Sequence, residues 1–318
     1  MTAAPGYSSV NKVCLIGKES TFGTAVSATK DVGIVQDISD NYTKEIIESM
    51  SSGQIEAVAI NDGTFVFSQT LTLEFQHGRL FEFIVGAASH AETTSDWKHT
   101  FGIDDQPAGY TSQSSENSET DTGLTLAGNV IESAEIGYTI NENLKLTITS
   151  KGYTTTSAAT ASAAVISSLV VFPSHLCHFS MNTTEADIVQ NASITFEKKV
   201  ETAYGGASQV PQMLKVTELR FKFSATLGYT DKTYQEIFLG GTTPTAGSGN
   251  TIILNAHNGE TLGSGRREFY CQLENVQHSK FDKVSSIGGI IFVDVEGSGT
   301  LKADNLYTVD NIADTSWF

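Results

Sequence analysis

Residues 34–86 return, without a gap, at an offset of 154 residues. Ile34, Val35 and Gln36 fall on Ile188, Val189 and Gln190; Ser39 falls on Ser193 and Lys44 on Lys198. Further along, Phe67, Thr72, Leu73, Glu82 and Gly86 fall on Phe221, Thr226, Leu227, Glu236 and Gly240. Conservative matches lie between these identities: Tyr42 with Phe196, Phe65 with Leu219, Ile84 with Phe238, Val85 with Leu239. An internal repeat of this length constrains the fold more than any composition can, because both copies must settle into one architecture. The chain of 318 residues is therefore expected to divide into a first domain (1–153), a linker (154–166) and a second domain (167–318). The linker begins TTTSAATASAA, small and polar throughout.

Each copy reads as strands followed by one short helix. Phe65, Phe67, Leu71, Leu73 and Phe75 alternate with Val66, Ser68, Thr70, Thr72 and Glu74, the period of a half-buried strand. Leu80, Phe81, Phe83 and Ile84 then stand at helical spacing, and Gly86 can stop the helix. The second copy repeats this with Leu219, Phe221, Phe223, Ala225 and Leu227. There a short helix carries Tyr234, Ile237 and Phe238, capped by Asp231 and ended by Gly240 and Gly241. A hairpin follows each helix. One runs over 130–152; the other joins 268–276 to 288–297 through a long connection, QHSKFDKVSSI. The segment 104–123 has five carboxylates and no Lys or Arg, which predicts a solvated loop. The fold class expected is mainly β: two tandem antiparallel sandwich or barrel domains, each with one short helix.

Charge narrows the function. Lys and Arg number 19 against 36 Asp and Glu, a formal net charge of −17, yet only 17% of residues are charged, below the ~25% usual in soluble domains. The acidity comes from scarce cations, which excludes a protein that gains affinity by neutralising phosphates. At 39% hydrophobic the chain is not a disordered one. The start, MTAAPGYSSVNKVCLIG, lacks a basic region followed by an apolar run, and the most apolar stretch, 158–173, is interrupted by Thr160, Ser162, Ser167 and Ser168. Neither a leader nor a membrane span is expected. Cys14, Cys177 and Cys271 lack CxxC spacing and read as isolated reduced thiols.

Motifs that carry chemistry are weak. Asp37, Ser39, Asn41 and Glu48 fit positions 1, 3, 5 and 12 of a calcium loop, but Tyr42 stands where the turn needs Gly, so a solvated strand is the expectation. His175, Cys177 and His178 have no second ligand pair, and neighbouring strand residues face opposite ways. Gly17-Lys18-Glu19-Ser20 lacks the upstream Gly of a phosphate loop, Lys12 occupying its place. Asp104 and Asp105 sit adjacent in an expected loop, a poor frame for an acid and a base in fixed roles. The Gly-Ser pairs at 247–249, 263–265 and 297–299 read as loops, and the sequons at Asn41, Asn182 and Asn191 carry little weight without secretion. No catalytic residue, metal or cofactor is expected.

KESTFGTAV (18–26), NDGTFVFSQTLTLEFQHGRLFEFIVGA (61–87) and VIESAEIGYTINENLKLTITSKG (130–152) together resemble the tail tube proteins of long-tailed viruses. The resemblance covers most of both halves. It implies a virion tail component made in the host cytoplasm. Its hairpins would join those of neighbours in a continuous inner β-barrel, and its rings would stack around a lumen for genome ejection. The usual form has one domain per chain and six chains per ring; with two domains, trimeric rings of pseudo-sixfold symmetry are expected. Implied partners are further copies of the chain, other tail proteins at the tube ends, and viral DNA passing without specific binding. A bore of hydroxyls and carboxylates would repel phosphates and let the duplex slide. The matching segments 37–60 and 191–214 are the expected long hairpin loops reaching the next ring. Within them, Asp37, Asp40, Glu45 and Glu48 are candidate lumen or inter-ring carboxylates, and Ser51, Ser52, Gly53, Gly205 and Gly206 candidate inter-ring loop residues. Other readings remain open: a terminator or distal tail adaptor ring, or a tandem β-sandwich adhesin, although Trp97 and Trp317 make no obvious sugar platform.

Overall fold

The computed structural model describes residues 12–50, 52, 57–116, 123–157, 171–182, 184–206, 208–229, 232–241, 250–261, 263–285, 291–313 and 317–318. The first half runs β1 (Lys12–Lys18), β2 (Lys30–Asp31), β3 (Ile34–Met50), β4 (Ala57–Glu74), α1 (Phe81–Ile84), β5 (Ala88–Thr93), β6 (Asp96–Phe101), β7 (Tyr110–Glu116), β8 (Leu124–Thr139), β9 (Lys145–Gly152) and β10 (Thr154–Ser157). A 3-10 turn (Ser174–Leu176) leads into the second half. That half comprises β11 (Cys177–Met181), β12 (Thr184–Glu185), β13 (Val189–Tyr204), β14 (Pro211–Gly228), α2 (Thr233–Leu239), β15 (Asn250–His257), β16 (Glu268–Ser285) and β17 (Ile291–Asp310). All pairings are antiparallel and the sheet curls into half a barrel.

The central sheet has eight strands in the order β3-β4-β9-β8-β13-β14-β17-β16. Its first four strands come from the first half of the chain and its last four from the second. The registers of the two sets agree residue for residue. Phe67 opposite Gly152 through Glu74 opposite Lys145 recurs as Phe221 opposite Gly299 through Gly228 opposite Phe292. Ala134 opposite Ile148 recurs as Phe281 opposite Val295. Irregularities recur too: Val35 and Asp37 flank a register shift in β3, as Val189 and Asn191 do in β13.

One face of this sheet is apolar for the reason the alternation gives. Leu71, Leu73, Phe75, Ile136, Leu146 and Ile148 from the first half, with Ile194, Phe196, Phe223, Leu227, Val293 and Val295 from the second, are buried in a single continuous core. Aromatic rings bridge the halves: Phe81 packs on Phe196 and Phe269 with centroids 5.7 and 5.6 Å apart. Shorter strands form an outer layer. In the first half β2, β1, β7, the start of β8 and β10 pair in turn; in the second, β12, β11, β15 and the start of β16. The β5–β6 hairpin crosses over and pairs with the end of β17, Trp97 opposite Asp310, so the first half extends the second half's outer layer. The helices stop at matching glycines: Gly86 has φ +130°, and a Cβ there would meet that of Asp104 at 2.2 Å, while Gly240 takes the left-handed cap of α2.

Three expectations change. Within 104–123, Tyr110–Glu116 is not a solvated loop but strand β7, paired along its length with β1. Two of its buried hydroxyl residues have fixed partners: Thr111 Oγ1 donates to Glu19 Oε1 at 2.8 Å, and Asn129 Nδ2 donates to Ser112 Oγ at 3.1 Å. Residues 117–122 lie outside those described. The connection expected after 276 is the outer half of β16, which continues to Ser285 through two register shifts against β17. The first four residues of the expected linker, Thr154–Ser157, form β10, and 158–166 lie outside the described residues. The expected α2 cap, Asp231, also lies outside; Lys232 occupies the N-cap without a side-chain bond.

Candidate functional site

The motifs weighed in the sequence fall on residues with specific structural partners. Asp37–Glu48 is strand, not a loop. Cys177 is buried beneath His178, whose Nδ1 meets Glu185 and whose ring stacks on His257 at 5.2 Å. Glu19, in the former phosphate-loop candidate, is a buried anchor, accepting from the backbone N–H of Gly23 (2.8 Å) and of Gly128 (2.7 Å) and from Thr111. Among the described residues no group of His, Cys, Asp and Glu is arranged to hold a metal ion, and no helix is long and apolar enough to cross a membrane. What the fold offers is surfaces: a polar sheet face, two projecting arms and two sheet edges.

The polar face is the reverse of the eight-stranded sheet. One cross-strand row reads Asp37, Thr72, Thr147, Glu135, Thr195 and Lys222; the next reads Glu74, Lys145, Gly137, Ser193, Ser224 and Glu296. Its cations are each matched by a neighbouring carboxylate: Lys145 with Glu142 (2.7 Å), Lys151 with Glu132 (2.5 Å), Lys222 with Glu197 (2.6 Å), Arg220 with Glu218 (2.6 Å) and Lys280 with Glu296 (2.9 Å). Exposed pairs of this kind add little stability, about 0–1 kcal/mol each, but they leave the face without a cation cluster. Where the halves meet, Glu135, Gly137, Thr139, Lys145, Asn191 and Ser193 line a cleft of about 360 Å³. Gly137 is required there, because a Cβ would stand 2.6 Å from that of Ser193 across the seam.

The arms are the outer halves of the hairpins β3–β4 and β13–β14. Beyond Tyr42 every residue of β3 is exposed, and large apolar side chains stand in solvent: Ile46 (64% exposed), Met50 (63%) and Ile60 (66%), with Ile47 and, on the other arm, Met213. Isolated exposed apolar residues are ordinary, but several concentrated on one projection mark an interaction site. The arms touch each other. The N–H of Phe65 donates to the carbonyl of Gln209 at 2.8 Å, and Tyr204 Oη donates to the carbonyl of Phe65 at 3.3 Å.

The candidate carboxylates separate onto different surfaces. Asp37 lies on the polar face, where the Lys12 ammonium at 2.5 Å hydrogen-bonds it and holds its carboxyl below the ordinary range. Asp40 lies on the opposite, core-side face, accepting from Gln69 Nε2 at 2.8 Å and Ser114 Oγ at 3.4 Å. Glu45 is an exposed arm residue that accepts from Thr64 Oγ1 at 2.9 Å, and Glu48 stands opposite Ile60 farther out. Of the loop candidates, Ser52 is an exposed turn residue, and Gly205 and Gly206 end the second arm; a Cβ at Gly206 would meet nothing within 4 Å. Ser51 and Gly53 lie outside the described residues.

The seam between halves brings in residues that sequence reasoning passed over. β8 pairs with β13 from Thr139 opposite Asn191 to Ser133 opposite Glu197. On its core side Lys198 is buried and donates from Nζ to the carbonyl oxygen of Phe83, the third residue of α1, at 2.7 Å. Burial alone lowers its pKa to about 7. The identity Lys44–Lys198 was the available signal. At the two ends of the sheet, β3 has no strand beyond it, and neither has β16 from Lys280 to Lys283, among the described residues.

A family model described as phage tail tube protein matches residues 10–299. Comparison with curated proteins returned no match.

Proposed function

The chain belongs to the phage tail tube protein family, and from that premise we propose that it is the repeating subunit of a hollow tail tube, stacked as trimeric rings of pseudo-sixfold symmetry. The observation that carries this reading is the seam. Two four-stranded units with the same registers already join edge to edge inside one chain, β8 on β13, and an open strand stands at either end of the sheet. The halves 1–153 and 167–318 act as the two ring units. An open edge is an aggregation hazard unless it is covered, and ring closure covers both. Contacts between stacked rings are heterologous and need not close, so they generate a filament.

In this tube the polar face lines the bore and DNA passes along it. Ser and Thr rows, with each cation held by a carboxylate, present neither a phosphate clamp nor an apolar surface to the duplex. The arms, with Ile46, Ile47, Met50 and Ile60 exposed, reach the adjacent ring. Other tail proteins cap the tube ends, and the protein resides in the virion tail after synthesis in the host. It is a structural element with no catalytic step.

Electron microscopy of the purified protein tests the reading. Tubes built of threefold rings are the expected result. Isolated rings that never stack would make it a terminator or adaptor, and a monomer at every concentration would overturn the assembly reading.

A further inference from the structure

Taking the tube reading as given, we propose a specific ring-closing contact: β3 of one copy pairs antiparallel with the outer half of β16 of the next, Asp40 opposite Lys283 and Tyr42 opposite Phe281. The occupant of each open edge is thus a second copy of this chain.

The register comes from the seam inside the chain. By their pairings with β4 and β14, Asp40 and Tyr42 of β3 occupy the places that Ile194 and Phe196 occupy in β13. By their pairings with β9 and β17, Phe281 and Lys283 of β16 occupy the places of Ala134 and Ile136 in β8. Inside the chain Ile194 stands opposite Ile136 and Phe196 opposite Ala134. Carrying that pairing to the two open edges puts Asp40 against Lys283, Tyr42 against Phe281, and Thr43 against Lys280.

The side chains fit the transposed register. At the inner seam the first pair is two isoleucines, both wholly buried. At the open edges both partners change together, one to a carboxylate and one to an ammonium. An opposite-charge pair directly across antiparallel strands is favourable. Lys283 already lies over the ring of Tyr229 at 4.2 Å, so its stem is directed along the sheet's core side, the same side as Asp40. Tyr42 is 49% exposed while its counterpart Phe196 is 1% exposed, which is the difference a missing neighbour strand makes. Tyr42 and Phe281 give this pair an aromatic contact where the inner seam has an aromatic against Ala.

The same transposition gives a second contact. Lys44 matches Lys198, and Ile237 matches Phe83 within the repeat. Lys198 donates to the carbonyl of Phe83 across the inner seam; Lys44, which in one chain pairs with Asp62 at 2.5 Å, is placed in the ring beside the last turn of the neighbouring copy's α2, where the carbonyl of Ile237 already accepts from Gly240 N and Asn250 Nδ2.

Paired cysteines test the register. Cys14, Cys177 and Cys271 are buried, so a short thiol-bridging reagent reads the introduced pair. Residues directly opposite have Cβ atoms about 4.5–5.5 Å apart and diagonal ones about 7–8 Å apart. Tyr42→Cys with Phe281→Cys is expected to give a covalent ladder ending at the closed ring, and Tyr42→Cys with Lys283→Cys little or none. Amide hydrogen exchange on the unaltered protein gives the second readout: residues 38–43 and 280–283 gain protection together on assembly. Rings that form without in-register bridging, bridging confined to the shifted pair, or protection of one edge alone would overturn the contact while leaving the tube reading intact. Unaltered protein that forms neither rings nor tubes would overturn both.

Discussion

Lys198 of β13 donates from Nζ to the carbonyl oxygen of Phe83 at 2.7 Å, so an ammonium buried in the second half holds the helix of the first. Burial lowers its pKa to about 7 in the fold, against ~10.4 in an unfolded chain. Between those values the unfolded chain binds more protons, and folding stability from this group rises with pH. Below pH 7 the full cost of burying the charge is present. Lys198→Met should therefore gain on the wild type at pH 6 relative to pH 10, the difference shifting by up to a few kcal/mol. Urea unfolding of both proteins at the two pH values measures it. A gap that does not change with pH would mean the ammonium is not the titrating group.

Asp31 titrates in the other sense. Burial would raise its carboxyl, but His77 Nε2 at 3.1 Å and Arg79 Nη1 at 2.5 Å outweigh it and bring the pKa down to about 2. Its stabilisation is present above the unfolded value of ~3.9 and is lost as pH falls toward 2. Asp31→Asn leaves the buried Arg79 facing an amide and should cost about 3 kcal/mol at pH 7. The cost should shrink steadily between pH 4 and pH 2. Thermal melts across that range check both the size and the window.

The repeat made the central sheet legible. Alternation at 65–75 and 219–227 placed β4 and β14, because a half-buried strand must write its buried face every second residue; most of β3 and β13 falls in the segments 37–60 and 191–214, which read as long hairpin loops. The expected helices end at Gly86 and Gly240 as the residues require. Where the reading failed, tertiary partners supply what composition hides. β7 is polar at Thr111, Ser112 and Ser114, yet buried, because Glu19, Asn129 and Asp40 complete hydrogen bonds from distant segments. β16 loses its alternation at two register shifts, between Glu274 and Gln277 and between His278 and Lys280, so its outer half resembles a loop. The candidate carboxylates could not be sorted for a related reason. The shift between Val35 and Asp37 puts Asp37 on the polar face and Asp40 on the other, and one residue of slip inverts every assignment.

The arms should be dispensable for the fold and needed for stacking. Ile46, Ile47, Met50 and Ile60 stand in solvent, so replacing each with Ser should change stability by no more than about 0.5 kcal/mol. If these residues contact the next ring, the fourfold variant should form rings that do not elongate. Sedimentation velocity separates rings from tubes, and melting temperature confirms that the fold is unchanged. Full-length tubes from this variant would assign the arms another role.

The polar face makes the last case, because it joins the charge of the whole chain to what the tube conducts. At −17 the protein repels a duplex at long range, but the contact that matters is with the surface beside the DNA. On that surface the Lys and Arg of β9, β14 and β16 are already held by carboxylates, as in Lys222–Glu197 and Lys280–Glu296. Glu135 and Thr139 lie exposed on it, beside the seam cleft and outside the core. Glu135→Lys with Thr139→Lys adds cations there without disturbing packing, so folding and tube formation should persist. Phosphates would then displace counterions on binding, and log affinity should fall linearly with log salt. Tubes of the double variant should retain short duplex DNA at low salt and release it as salt rises, while wild-type tubes retain none. Measured with a fluorescent duplex over a salt series, equal retention by both tubes would place the DNA path somewhere other than this face.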